Sequence, residues 1–535
     1  MTDHNIHSKQ RNNIISFILL VGLGLIGYLG LRSANFDPNG ITEIEFFQTG
    51  VNALFTPNHI LFRVVVLLVY NLFHFFGYTG TPVLPAQFTT AVFSALGLGL
   101  FYWWLRKFIN NNAIAIITTL AFGGSWSYWV FSTDIYYVTP ACAFILGALI
   151  VLYDLVMQPP TSSFDRQYIG LAVLCAFSIL FWQANIFFLL IVGLVLLDRY
   201  KKEPGKLIVS GLFFGGILAA LIAGVYLYVG AVVFQRTSIS SFMDWILHYS
   251  ARLPIWGKWE FSRVGEEAHS IISSLIPVWE GLGVSELLKG QFHMGKLISQ
   301  LSLLAIILVI SIPLVLHLKT RFQMLGTQHK AILAGVLVYT VYLPFNIWWD
   351  PFEPKWLVVA NTGFWTIIAI LWDKLAETTS QVSRKVAILG LLILWIPLAN
   401  FTTTIWPNHA NVNRNLLTAE CVAANLQPGS LFVSTDNDYF NYLSFFYQVK
   451  VFDLTGNTAY FKGKTIALDL LAQEMTDANQ AGGKTYIYNL DAYPAEHIDW
   501  MVLLTGITRA EFGQFKRVPA FSCGTLEFQE LQSIR

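Results

Sequence analysis

Residues 14–31 read IISFILLVGLGLIGYLGL, and residues 32–47 continue RSANFDPNGITEIEFF: an uncharged apolar run, one arginine, then a loop carrying Asp37, Glu43 and Glu45. A run of this kind is long enough to cross a hydrocarbon layer about 30 Å thick. The stretch before it, MTDHNIHSKQRNN, carries Lys9 and Arg11, and no small-residue cleavage site follows. It therefore reads as a retained first span with a cationic inner flank, not a removed signal peptide.

The rest of the chain repeats the theme. Of 535 residues, 55% are hydrophobic and 12% charged, about half the charged share of a soluble domain. Further apolar blocks fall at 86–105, 112–131, 136–156, 167–181, 184–198, 206–233, 298–317, 330–349, 355–373 and 384–404. Ile60–Phe76 is apolar too, but carries Arg63, Asn71 and His74. If it lies in or on the membrane without crossing, then Arg106/Lys107, Arg166, Arg199 to Lys206, Lys319 to Lys330 and Lys374 to Lys385 all join the N-terminus on one side. Lysine and arginine of short loops concentrate on the cytoplasmic side, so this arrangement is expected: about eleven spans, N-terminus cytoplasmic, C-terminus exoplasmic.

The outer face then holds loop 32–85, a hairpin at 132–135, the polar stretch 234–297, loop 350–355 and the tail 405–535. The tail alternates strand-like runs (Leu431–Ser434, Gln448–Phe452, Thr485–Tyr488) with a helical pattern from Thr465 to Ala478, which reads as a small α/β domain. The expected fold class is mainly α: a polytopic helical membrane protein, with a membrane module at 1–404 and an exoplasmic α/β soluble domain at 405–535. Asp436-Asn437-Asp438 lacks the rest of a calcium-loop pattern and reads as an Asx-rich turn. Cys142 and Cys175 sit inside apolar blocks as packing residues. Cys421 and Cys523 lie in the tail and are able to pair if it faces an oxidising compartment.

Chemistry is expected on the outer loops. Carboxylates set against apolar surface gain proton affinity or seek a cation, and either state suits a general base or a metal ligand; an ordinary acidic juxtamembrane loop is the plainer account of Asp37, Glu43 and Glu45. Thr56-Pro57-Asn58-His59 opens the segment 60–76. Asp134-Ile135-Tyr136-Tyr137 puts a carboxylate in a turn between two spans, where ionisable residues are candidates for function. Asn346-Ile-Trp-Trp349-Asp350-Pro-Phe-Glu353-Pro-Lys355-Trp356 puts two carboxylates and an ammonium between aromatic residues. Here tryptophans anchor helices at the interface, or Lys355 binds a phosphate as a compact charge with tryptophans against an isoprenoid or sugar.

The net charge of +1 gives no sign of nucleic-acid binding. There is no Walker A loop, Rossmann fingerprint, HExxH or nucleophile elbow, which argues against ATP-driven transport and soluble-style hydrolysis. Two other classes stay open: a multi-pass lipid or polysaccharide transporter, which would show repeated halves not seen here, and a non-catalytic membrane anchor displaying the tail as a binding domain.

The order of features resembles the dolichyl-phosphate-mannose protein mannosyltransferase-like enzymes and, more broadly, the GT-C class of membrane glycosyltransferases. It is carried by Glu43/Glu45, Pro57-Asn58-His59, Gln87 to Lys107, the stretch from Phe122 to Phe131, Asp134-Ile135-Tyr136 and Trp182-Gln183-Ala184-Asn185, over residues 14–200. The resemblance implies an exoplasmic active site, a polyprenyl-phosphate-linked sugar donor and an unidentified acceptor; the expected location is a prokaryotic cell membrane. It also implies a catalytic base among Glu45, Glu43 and Asp37, and donor phosphate contacts at Lys355 or Arg63. His59, Asp134, Tyr136, Gln183, Asn185, Trp349 and Asp350 are further substrate-binding candidates. A divalent cation, Mg or Mn, would fall on Glu43 and Asp134.

Overall fold

The computed structural model describes residues 3–50, 54–157, 166–246, 257–276, 328–378, 382–435, 440–455, 464–492 and 495–533. These form two compact units. One comprises residues 1–33, 54–237 and 259–409; the other comprises 34–53, 238–258 and 410–535.

The first unit is helical because hydrocarbon offers no water to an exposed N–H or C=O, and a helix satisfies both within its own segment. Its helices are α1 (Asp3–Gly30), α2 (Ile60–Phe75), α3 (Val83–Leu105), α4 (Asn112–Gly123), α5 (Trp126–Thr133), α6 (Val138–Met157), α7 (Arg166–Phe181), α8 (Phe188–Tyr200), α9 (Pro204–Leu227), α10 (Ser262–Leu275), α11 (Gln328–Trp349), α12 (Ala360–Thr378) and α13 (Val382–Asn400). Among the described residues, 8 helices are long and apolar enough to cross a membrane, or 9 if the bent pair α4 and α5 forms one span. The expected span 298–317 lies outside the described residues.

Several expectations shift. Pro57–Phe75, expected not to cross, is a continuous helical stretch of 19 residues with mean hydropathy 1.4, long enough to do so. The expected single span 112–131 is broken by 62° between α4 and α5. A Cβ at Gly124 would lie 2.2 Å from Pro397 Cβ, so only glycine fits at the break. Asn400 Nδ2 donates to the Gly124 carbonyl at 2.7 Å and Trp365 Nε1 to Ser125 Oγ at 2.8 Å, satisfying groups that the bend releases. The expected span 355–373 starts later, at Ala360, because a 3-10 turn at Pro354–Leu357 precedes it.

α3 is the hub, packing on α1, α2, α4, α5 and α6. Its buried hydroxyls bond back into the helix, Thr89 Oγ1 to the Pro85 carbonyl at 2.8 Å and Ser94 Oγ to that of Thr90 at 2.8 Å, the local solution for such groups in an apolar setting. Among lipid tails, helices associate through close packing rather than burial from water. Gly335 of α11 and Gly363 of α12 show it: a Cβ on Gly363 would stand 2.3 Å from the Gly335 carbonyl oxygen.

The second unit is an α/β domain. Strands β1 (Leu431–Ser434), β2 (Lys450–Asp453), β3 (Thr485–Tyr488), β4 (Phe515–Cys523) and β5 (Leu526–Ser533) form a sheet of order β2-β1-β3-β5-β4. β1 runs parallel to β2 and β3, while β5 is antiparallel to β3 and β4. The β4–β5 hairpin turns on Gly524-Thr525, with Gly524 at φ +63°, the first central position of a II′ turn. Helix α14 (Arg414–Asn425) precedes the sheet; α15 (Phe440–Tyr447), α16 (Lys464–Gln480) and α17 (Ala495–Thr505) connect its strands. Leu431, Leu471, Ile487 and Leu531 meet in its core, where each buried side chain of this size contributes about 1.5–3 kcal/mol. Cys421 of α14 is disulfide-bonded to Cys523 of β4. Asp436-Asn437-Asp438 lies outside the described residues.

Residues 34–53 of the first loop belong to this unit. Phe36 stacks on Tyr442 at 5.4 Å, the Tyr442 hydroxyl donates to the Phe36 carbonyl, and Asn441 Nδ2 donates to Thr42 Oγ1 at 3.0 Å. The loop expected at 32–85 is thus divided between the two units.

Candidate functional site

In the first unit, several sequence candidates converge on one aromatic wall. His59 closes the 3-10 turn Pro57–His59 and stacks on Tyr137 at 4.2 Å; Tyr137 stacks on Tyr136 at 5.0 Å. Lys355 places its ammonium 5.3 Å from the Tyr136 ring centroid and 5.0 Å from that of Trp356. Trp356 stacks on Trp182 at 5.5 Å, and Trp182 on Tyr342 at 6.0 Å. The Tyr342 hydroxyl donates to Asn185 Oδ1 at 2.7 Å, while Asn185 Nδ2 donates to Ser178 Oγ at 2.6 Å. His59, Tyr136, Asn185 and Lys355 are therefore parts of one structure, and Asn185 orients the wall from behind. Gln183 is half-buried in the turn leading to Asn185.

Lys355 is only 5% exposed. Its Nζ lies 3.1 Å from Glu353 Oε2, and the two ring faces attract the cation through their quadrupoles. Burial raises the proton affinity of Asp350, with a push from Glu353 and an opposing pull from Lys355, leaving its pKa at about 6. Trp349 packs on Phe345 and Trp348.

Asp134 is 3% exposed rather than at a solvated turn, and its Oδ1 accepts from the Ile135 N–H at 2.7 Å. The turn is held to α3 and the end of α1: Gln87 Nε2 donates to the Ser33 carbonyl at 2.9 Å, and the Ser33 N–H to that of Thr133 at 3.1 Å. Arg63 is buried in the first turn of α2.

The loop carboxylates lie in the other unit. Asp37 caps the short helix Pro38–Thr42 by accepting from the Asn39 N–H at 2.7 Å, a sufficient structural role for that side chain. Glu43 is buried and Glu45 half-buried. Among the described residues no three His, Cys, Asp or Glu side chains group to hold a metal ion.

The sequence reading passed over one element. Helix α10, inside the stretch expected only to be polar, turns Arg263, Glu267, Ser270 and Ser274 to one buried face, the i, i+4, i+7, i+11 spacing of a helix stripe. Arg263 Nη1 donates to the Trp348 carbonyl at 2.9 Å and Ser270 Oγ to that of Pro351, closing the C-terminal turn of α11 and fixing the Asp350–Lys355 loop. Ser274 Oγ accepts from Asn361 Nδ2 at 3.0 Å. Burial pushes the Glu267 carboxyl up to about 8, with Asp350 adding to the rise.

No family model matches the sequence, and no curated protein matches it. Solved structures do. The chain is similar to ArnT from Cupriavidus metallidurans bound to undecaprenyl phosphate, 13% identical with 97% of each chain covered and a TM-score of 0.55. It is similar to apo ArnT from the same organism at 13% identity, with 96% of this chain and 97% of that one covered and a TM-score of 0.58. The S. cerevisiae protein O-mannosyltransferase Pmt1-Pmt2 complex bound to the sugar donor matches 42% of this chain and 34% of its own at a TM-score of 0.34, too low to bear on the fold. The architecture, a polytopic helical body with a small C-terminal α/β domain, is the GT-C fold of the ArnT structures.

Proposed function

We propose that the protein is a membrane glycosyltransferase that moves a sugar from a polyprenyl-phosphate donor to an acceptor on the exoplasmic face. The observation that carries this reading is Lys355: a buried ammonium held between two aromatic faces beside Asp350 and Glu353. A fixed charge in a desolvated setting acts on a phosphate far more strongly than one in water, and the surrounding rings suit an isoprenoid or a sugar face. The shared fold with ArnT, crystallised with undecaprenyl phosphate, supports the same class of donor. The Cys421–Cys523 disulfide favours an exoplasmic tail.

The reaction is a single inverting displacement. The acceptor hydroxyl loses its proton to a carboxylate base as its oxygen forms a bond to the anomeric carbon. The anomeric carbon–phosphate oxygen bond breaks, and the lipid phosphate leaves with that electron pair, its added charge facing Lys355. Purified protein incubated with radiolabelled polyprenyl-phosphate hexoses and a membrane-extract acceptor tests the reading. Wild type moves label off the lipid, and Lys355→Met loses most of that turnover. Label that crosses a vesicle still attached to its lipid would identify a transporter and overturn the proposal, as would full turnover in the Lys355 variant.

A further inference from the structure

Helix α10 is built inside out. Arg263, Glu267, Ser270 and Ser274 face the protein, whereas Val264, Ala268 and Ile272, with Phe261 at the N-cap, form an exposed apolar stripe at i, i+3, i+7 and i+11. A third side carries Ser262, Glu266 and His269. At about 100° per residue the three stripes stand roughly 120° apart around the helix. Phe261 is 93% exposed and Trp259, two residues earlier, 67%. A continuous apolar stripe, unlike a lone surface leucine, marks a face that meets something.

The hydrogen bonds of α10 point to what that is. Arg263, at its start, donates to the Trp348 carbonyl at the end of α11 at 2.9 Å. Ser274, in its last turn, accepts from Asn361 Nδ2 at the start of α12 at 3.0 Å, and the Leu275 carbonyl accepts from Asn400 Nδ2 at the end of α13 at 2.9 Å. α11, α12 and α13 follow one another up and down with short connections, so these three ends lie on one side of the bundle. A helix tied along its length to three such ends runs across them, in the plane where the chain leaves hydrocarbon, and not through it. α11 is apolar enough to span and exposes Leu333 and Val336 on its flank, so the surface beside α10 is already one for lipid. Phe352, in the loop that α10 holds, is 64% exposed as well. Aromatic residues gather at headgroup level, and an amphipathic helix in that plane buries its apolar face about 5–10 Å into the boundary between headgroups and acyl chains.

We propose that α10 is an interfacial helix whose Phe261, Val264, Ala268 and Ile272 side sits in the lipid of the bilayer surface, so that the membrane itself braces the Asp350–Lys355 loop. The bracing runs through Arg263 and Ser270, bonded to the carbonyls of Trp348 and Pro351 on either side of Asp350. The placement follows from membrane embedding alone and does not depend on the glycosyltransferase reading.

Cysteines placed singly at positions 261, 272, 262 and 269 of the full chain test it, spin-labelled in vesicles of phosphatidylcholine and phosphatidylglycerol. Collision with oxygen, which concentrates in lipid, and with a water-soluble nickel chelate reports where each label sits. Cys142 and Cys175 are buried and Cys421 is bonded to Cys523, so the added thiols take the label. The oxygen-to-nickel ratio should be at least about fivefold higher for Phe261→Cys and Ile272→Cys than for Ser262→Cys and His269→Cys. Equal ratios would put the stripe in water, and shielding of 261 and 272 from both reagents would put it against protein; either result overturns the proposal. Hydrogen exchange reads the bracing. Phe261 is so exposed that Phe261→Asp leaves the interior intact, yet in the same vesicles it should speed exchange of amides 350–357 at least about tenfold. Unchanged exchange would overturn the bracing.

Discussion

Replacing Gly363 by alanine puts a methyl group 2.3 Å from the Gly335 carbonyl oxygen and 3.1 Å from its carbonyl carbon. An ordinary carbon–oxygen contact needs about 3.3–3.6 Å, so α11 and α12 must part by about 1 Å. The obstructing atom is backbone and has no rotamer to escape into. Overpacking of this kind costs about 1–3 kcal/mol. Displacing α12 also strains the bonds of Trp365 to Ser125 at 2.8 Å and of Trp104 to Thr366 at 2.9 Å, each worth about 0.5–1.5 kcal/mol. Alanine's better helix propensity returns up to about 1 kcal/mol, leaving a net loss of about 1–3 kcal/mol. Gly216, whose added Cβ would meet nothing within 4 Å, is the matched control. In a thermal melt of detergent-purified protein, Gly363→Ala should melt lower than wild type, and Gly216→Ala level with it or higher. Equal midpoints for the two variants would refute the close-packing argument.

Three further outcomes are expected. Because burial raises the Glu267 pKa from 4.5 to about 8, the folded chain holds a proton that the unfolded chain releases. Stability should therefore fall as pH rises through that interval, with Asp350 acting in the same sense between 3.8 and about 6; Glu267→Gln should flatten the decline in melting temperature between pH 5 and 8, and an unchanged slope would refute the assignment. Cys523→Ser opens a bond between residues 102 apart in sequence, a loop whose closure is worth about 4–5 kcal/mol on the chain-entropy estimate; the tail should become protease-sensitive, and a wild-type digestion pattern would count against it. Glu45→Gln should abolish transfer without changing the melting temperature, and normal turnover would remove Glu45 from the base role.

The helices were legible because a membrane leaves one way to satisfy a backbone, and long apolar runs announce it. What escaped the sequence depended on distant partners. The break at Gly124 is set by Pro397 and Asn400, far along the chain, and no local pattern encodes it. Lys355, Tyr136, His59 and Asn185 were picked separately, each from its own loop, but only tertiary packing shows that aromatic rings join them. The loop carrying Glu43 and Glu45 was read as part of the membrane module because of its neighbours in sequence, whereas Tyr442 and Asn441 hold it to the α/β unit. The stripe on α10 did have a signal. Arg263, Glu267, Ser270 and Ser274 recur at helical spacing, but a pattern of polar rather than apolar residues reads as a solvated face until the structure shows it turned inward.

Strand β5 lies between β3 and β4 although it follows both in the chain. A polypeptide delivered from its N-terminal end thus presents β1, β2 and β3 as a parallel sheet, and its β3 edge stays open until residues 526–533 arrive. An open edge is a template for pairing with other chains. A chain interrupted during synthesis before Leu526 would carry a sticky, half-built sheet that quality control can recognise, while the completed hairpin seals it in one event. The position of one strand thus leaves the β3 edge exposed only while the chain is being made.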